Sequence, residues 1–230
     1  MKIERTKNAT RNFIWGILNK IIGMLLPFVC RWAIINVFGA NYLGLNSLFT
    51  SILNTLNLAE LGFGGAVVFF MYKAVADSDD EKICTLMNYY KKIYRVIGCI
   101  VTVIGLSLMP FLKLFIKADV PTDINIYVLY ALTLLSTSST YFLFAYRNCL
   151  FDAYQRKDIP LNINSILMII ERVLQLYFIF VLKNYYLYLA CTTLTNIANN
   201  ICVAIYSKKL YPQFSAKGTL SKKEKRFKQK

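Results

Sequence analysis

The chain has 230 residues, of which 57% are hydrophobic and only 17% charged, and its mean hydropathy is +0.45. A soluble domain of this length does not need so much apolar surface, and its long low-charge stretches read as membrane-spanning helices rather than buried strands. A net charge of +15 would fit a nucleic-acid partner in a soluble protein, but here the basic residues lie between the apolar segments, where they set topology instead.

Taken in order, the apolar spans fall at about residues 12–35, 43–72, 93–115, 124–146, 159–182 and 185–206. Backbone in hydrocarbon must satisfy its own hydrogen bonds, which leaves helices or a closed barrel. The alternating ~10-residue segments of a barrel are absent. The expectation is an all-α membrane protein with six transmembrane helices over residues 1–206, followed by a basic tail or linker over 207–230. The first span is too long and too often interrupted by polar residues for a cleavable signal peptide. Pro27 predicts a kink in it, and Pro110 one in the third. The second span exceeds what a bilayer requires, so it must tilt, bend or begin as an interfacial turn.

The connections alternate in charge. Lys2, Arg5, Lys7 and Arg11 precede the first span; Lys73, Lys82, Lys91, Lys92 and Arg95 follow the second; Arg147, Arg156 and Lys157 follow the fourth; and a lysine-rich run follows the sixth. The other side holds Lys113, Lys117 and Lys183. This asymmetry predicts both termini in the cytoplasm. The chain has no histidine, and its six cysteines form no CxxC pair, so a zinc-finger site is not expected and no cofactor is implied. There is no G-x-x-x-x-G-K-[ST] loop and no evident catalytic cluster, so neither an enzyme nor an ATP-driven mechanism is expected. No filter-like loop argues for a channel.

Polar residues inside the spans carry the functional signal, because such groups are expensive in hydrocarbon and face a bundle interior or a cavity. Lys20 and Arg31 lie nearly three helical turns apart, on one face about 16 Å from each other. They predict either a cationic lining or two snorkelling residues. Ser47, Thr50, Ser51, Asn54 and Asn57 form a stripe on the second span. Glu60 stands within "NLAELGFGGAVVFFMYK", beside Gly62, Gly64 and Gly65. Those glycines fit a bend, and Gly62-x-x-x-Ala66 fits close helix packing. The fourth span carries Thr133, Ser136, Thr137 and Thr140, with Arg147 in line at its end. The sixth carries Thr192, Thr195, Asn196, Asn199 and Asn200. The fifth holds Glu171 and Arg172, which point about 100° apart, with Gln175 one turn on. Glu171 could pair with Lys20, Arg31 or Arg147 in an internal ion pair, or the acidic and basic residues could flank a cavity. The three polar stripes predict a hydrated cavity; interhelical hydrogen bonding is the alternative.

"RNFIWGILNKIIGMLLPFVCRWAIINVFGANYLGLNSLFTSILN" followed by "NLAELGFGGAVVFFMYKAVADSDDEKI" resembles the start of bacterial polysaccharide repeat-unit flippases. These belong to the multidrug/oligosaccharidyl-lipid/polysaccharide exporter superfamily. The Gly39-Ala40-Asn41-Tyr42-Leu43-Gly44-Leu45 connection and the L-A-E-L-G-x-G segment are typical of them, and the resemblance runs over the whole chain.

The resemblance implies a carrier in the bacterial plasma membrane. Its substrate would be an undecaprenyl-diphosphate-linked oligosaccharide, moved by alternating access in a cationic cavity between two six-helix lobes. Lys20, Arg31, Arg147 and Arg172 are the candidates for that cationic lining. Asn54, Asn57, Gln175, Asn196 and Asn199 are candidates for polar lining, and Glu60 and Glu171 for ion coupling. Such proteins have about twelve to fourteen helices, so this chain is expected to be an N-terminal lobe. It would work with a second lobe, a second copy or polymerase machinery. The rival reading is a non-transporting accessory protein of a polysaccharide assembly complex. A transporter lobe would gather Lys20, Arg31, Asn54, Arg172 and Asn196 round one cavity, and a scaffold would scatter them.

Overall fold

A computed structural model describes residues 5–57, 63–116 and 120–219. Among them every regular element is helical: α1 (Arg5–Val37), α2 (Ala40–Asn57), α3 (Phe63–Ala76), α4 (Asp80–Leu108), α5 (Leu112–Phe115), α6 (Ile126–Phe142), α7 (Asn148–Ala153), α8 (Asp158–Phe180) and α9 (Tyr185–Leu210). Two 3-10 turns, Met109–Phe111 and Ala145–Arg147, join α4 to α5 and lead into α7. The chain thus forms an all-α membrane protein.

Three helices, α4, α6 and α9, begin where a side chain takes over orphan N–H groups. Asp79 accepts from the Lys82 N–H at 2.9 Å, Asn125 from the Tyr127 N–H at 3.0 Å, and Asn184 from the Leu187 N–H at 3.1 Å. Gly39, at φ +99°, closes α1 in the left-handed conformation that glycine adopts at little cost.

Among the described residues, four helices are long and apolar enough to cross a membrane: Asn8–Val37, Asp80–Phe115, Asp158–Phe180 and Tyr185–Leu210. The segments Ile126–Phe142 and Ala145–Ala153 make a fifth when taken together across a 45° bend. The expected count was six, and the second span accounts for the difference. Its residues divide between α2, which ends at Asn57, and α3, which starts at Phe63. Residues 58–62, with Glu60 and Gly62, lie outside the described residues. At 14 residues, α3 reaches about 21 Å, short of the ~30 Å hydrocarbon core. The 18 residues of α2 are diluted by Asn41, Asn46, Ser47, Thr50, Ser51, Asn54 and Thr55. The prolines also act differently from one another. Pro27 sits within α1, which continues through it. Pro110 lies at the start of the 3-10 turn where α4 ends. The bend after α6 centres on Phe144, whose φ of +57° is left-handed, a conformation that costs a non-glycine residue about 1–2 kcal/mol.

Packing runs round the bundle: α1 lies along α8, α8 against α9, α9 against α6, α6 against α4, and α4 against α3, while α2 touches α1, α6 and α4. The core is split between two ends. At one, Ile34, Phe49, Leu53, Leu129, Tyr130, Ile179 and Tyr185 are buried together. We call this the far end; it holds the α1–α2, α5–α6 and α8–α9 connections. At the other, the basic end, Met71, Met87, Leu150, Phe151, Val203, Tyr211 and Phe214 form a second cluster.

The last helix passes Tyr206 and continues to Leu210, and the chain then folds back over the basic end. Tyr211 and Phe214 are buried, Tyr154 stacks on Tyr211 at 4.7 Å, and Asn88 donates to the Gly218 carbonyl at 2.8 Å. Burial pushes the Tyr211 hydroxyl up to about 12, against the opposing charge of Arg156.

The same end holds an ionic clasp between α1 and α8. Asp158, 3% exposed, accepts from Arg11 and, at 3.0 Å, from Arg156. Asn12 receives the Asp158 N–H at 2.7 Å and donates to the Gln155 carbonyl at 3.0 Å. A carboxylate at the start of a helix also gains from its dipole.

Close helix approach occurs on α4. A Cβ placed on Gly98 would lie 2.7 Å from Tyr141 Cβ, and one on Gly105 would lie 2.4 Å from Leu134 Cδ1. The Tyr141 atom is rooted to the α6 backbone and cannot rotate away. We expect Gly98→Ala to cost about 1–3 kcal/mol through overpacking. Gly16→Ala, with nothing within 4 Å, should be neutral or stabilising by up to about 1 kcal/mol. Thermal unfolding in detergent distinguishes them; equal melting temperatures would contradict the close packing of α4 on α6.

Candidate functional site

Beside the far-end core, which shares Tyr188 and Leu189 with it, four helices line a polar cavity of about 250 Å³. From α2 come Asn46 and Thr50; from α6, Thr133, Ser136 and Thr137; from α8, Arg172; and from α9, Tyr188, Leu189, Thr192, Thr193 and Asn196. The helical period places these residues together. Asn46 and Thr50 are one turn apart, as are Thr133 and Thr137, and Thr192 and Asn196. Each stripe sends part of itself to this space: Thr50 from the first, Thr133, Ser136 and Thr137 from the second, and Thr192 and Asn196 from the third.

The charges sit in its α8 wall. Glu171 is buried, and Gln175 is fully so. The Gln175 amide joins the pair: Oε1 accepts from Arg172 Nη1 at 2.5 Å, while Nε2 donates to Glu171 Oε1 at 3.1 Å. Thr192 of α9 donates to the same Glu171 oxygen at 3.0 Å and accepts from Gln175 Nε2 at 2.8 Å. Arg172 Nη1 also lies 3.5 Å from Glu171 Oε1. Adjacent helical residues diverge, yet both reach Gln175, because the long arginine stem curls back over one turn. Glu171 thus pairs with its own neighbour rather than with Lys20, Arg31 or Arg147.

The pairing is incomplete. Arg172 Nε is buried with no hydrogen-bond partner, as are Oδ1 of Asn199 and Oδ1 of Asn162. Buried polar groups are normally satisfied, so Arg172 Nε is an unused donor in this wall; Asn162 and Asn199 are not among the cavity's lining residues. A guanidinium ringed by hydroxyls and amides suits an oxygen-rich anionic group. The volume equals about eight waters at ~30 Å³ each. It admits a phosphate-sized group but not a lipid-linked sugar.

Of the other described candidates, Asn196 alone lines this cavity. Lys20 and Arg31 are exposed on α1, and Asn54 is exposed on α2. Asn57 Oδ1 accepts from the Tyr141 hydroxyl at 2.8 Å, a cross-helix tie. Arg147 is buried near the basic end and donates to Ser207 at 3.3 Å. Asn196 lines the cavity and donates to Ser136 at 2.8 Å. Gly64 and Gly65 lie in the first turn of α3, and a Cβ on Gly65 would meet nothing within 4 Å. Close approach to another helix is seen at Gly98 and Gly105 of α4. Asn46 and Thr193 were not foreseen. Asn46 could have been found as the residue one turn before Thr50; Thr193 sits off the stripe and had no such signal.

Replacing Gln175 with leucine should leave Glu171 and Arg172 without their bridge and cost about 2 kcal/mol. Thr192→Val should cost about 1 kcal/mol. Thermal unfolding of the purified variants checks both; unchanged stability would mean that the bridge does not hold α8 to α9.

Comparison with curated proteins and with solved structures finds no match. A family model does match, that of the polysaccharide biosynthesis protein family, over residues 9–229. An all-helical membrane bundle matched over nearly its whole length places this chain in the polysaccharide biosynthesis protein family.

Proposed function

We propose that the chain flips an undecaprenyl-diphosphate-linked oligosaccharide across the bacterial plasma membrane, as one lobe of a transporter with both termini in the cytoplasm. The observation that carries this reading is Arg172, which lines a polar cavity among four helices with its Nε unpartnered. A diphosphate is the part of such a substrate that a guanidinium recognises, by charge-assisted paired hydrogen bonds.

The cavity is too small for the whole substrate, so transport needs a second wall that moves against this one. A second lobe or a second copy would supply it. Lys20 and Arg31, exposed on α1, would then add their charge to the same passage. Glu171 offers a route for ion coupling. It stands 3.5 Å from Arg172 Nη1, so an ion exchanged at this carboxylate would act directly on the group proposed to meet the diphosphate. Polysaccharide assembly supplies the substrate and uses the product, which makes the polymerase machinery a natural partner.

The test is complementation of a strain lacking its own repeat-unit flippase, with and without a matching C-terminal lobe. Surface polysaccharide should return, and Arg172→Gln should reduce it at least tenfold at equal protein level, consistent with losing about 1.5–3 kcal/mol of charged hydrogen bonding. Full export by Arg172→Gln would overturn the assignment of the diphosphate to this residue. Failure to restore export under either condition, with the protein present in the membrane, would favour the accessory role.

A further inference from the structure

The larger cavity lies elsewhere. A space of about 580 Å³ opens at the far end, between the end of α5, the connection into α6 and the start of α9. Its polar and aromatic lining comes from Lys113, Thr122, Asp123, Asn125, Tyr127 and Tyr186. None of these residues lines the Arg172 cavity, and none was singled out for a functional role by the sequence.

From this lining we infer a saccharide-binding site, which rests on the transport reading above and assigns the glycan portion of the substrate a place of its own. Three observations point to a sugar. First, Tyr127 and Tyr186 are half-buried and bring flat aromatic rings, which pack well against the C–H faces of a pyranose. Second, beside them stand a carboxylate, a carboxamide and a hydroxyl, which hydrogen-bond the ring hydroxyls. Third, the described lining carries one basic and one acidic side chain, Lys113 and Asp123. A free anion would meet Asp123, a metal cation would meet Lys113, and a purely apolar ligand would strand the polar groups.

The site is also held in shape before any ligand arrives. The Tyr42 hydroxyl donates to Asp123 Oδ2, leaving Oδ1 to accept from a ligand. The Asn125 backbone N–H donates to the Tyr186 hydroxyl at 2.7 Å and fixes that ring. Asn125 Oδ1 caps α6, leaving Nδ2 to donate. Behind them the Tyr185 hydroxyl donates to the Tyr42 carbonyl at 3.1 Å. Preorganisation of this kind strengthens binding by lowering the ordering cost. The volume falls within the roughly 300–1,000 Å³ of small-molecule sites. A glycan held here would sit at the far end while the diphosphate remained deeper, near Arg172.

Binding to the full chain in nanodiscs tests this with two separate probes. One is the free glycan released by mild acid from the lipid-linked pool of the encoding bacterium, followed by saturation-transfer NMR. The other is undecaprenyl diphosphate without sugar. The paired change Tyr127→Ala with Tyr186→Ala should weaken glycan binding at least tenfold and leave undecaprenyl diphosphate within twofold. Thr122→Trp removes no bond described here and fills the space from an exposed position; it should abolish glycan binding as well. Tyr127→Phe keeps the ring and should bind like the native chain. Arg172→Gln should do the reverse, losing undecaprenyl diphosphate and keeping the glycan. No glycan binding by the native chain, or binding by Thr122→Trp within twofold of native, overturns the saccharide site. Arg172-dependent binding of undecaprenyl diphosphate would in either case leave the transport reading standing; loss of both would overturn both.

Discussion

A guanidinium inside a membrane bundle dictates what can surround it. Arg172 is tolerable in α8 because Glu171 supplies the counter-charge and Gln175 joins them. The same amide and the same carboxylate then reach Thr192 of α9. One charge therefore dictates the hydrogen-bonding residues of two helices, and it draws the polar stripes of α2 and α6 toward the space that it lines. In a low-dielectric interior an incomplete network is costly, and Arg172 Nε is left without a partner.

Two hydrophobic cores pack the bundle. At the basic end the Asp158 clasp ties α1 to α8, and the chain after α9 closes over Met71, Met87 and Phe151. At the far end a tyrosine cluster of Tyr42, Tyr185 and Tyr188 packs ring against ring at 4.9 and 5.4 Å.

The two cavities have different chemistry. The inner one offers a partly neutralised arginine among hydroxyls and amides. The far-end one offers aromatic rings with balanced charge. A molecule with an anionic phosphate end and a neutral sugar end matches the pair better than it matches either alone. Membership of the polysaccharide biosynthesis protein family is consistent with such a molecule.

Much of this was legible in the residues. Apolar runs and the placement of lysine and arginine determine helical class and the alternation of connections, because hydrocarbon leaves a backbone few choices. The stripes on α2, α6 and α9 were visible because side chains one turn apart must share a face, and Arg172, Gln175 and Asn196 were named on those grounds. What periodicity cannot determine is how each helix is rotated against its neighbours. That rotation left Lys20, Arg31 and Asn54 on the exterior of this lobe and placed Arg147 near the basic end. It also brought Gly98 and Gly105, rather than Gly65, against another helix. The division between α2 and α3 and the bend at Phe144 depend on backbone geometry that composition does not encode. The far-end pocket is the clearest case. Its residues come from three separate connections or helix ends, with no shared period, and only the packing of Tyr42, Asp123, Asn125 and Tyr186 on one another makes them a site.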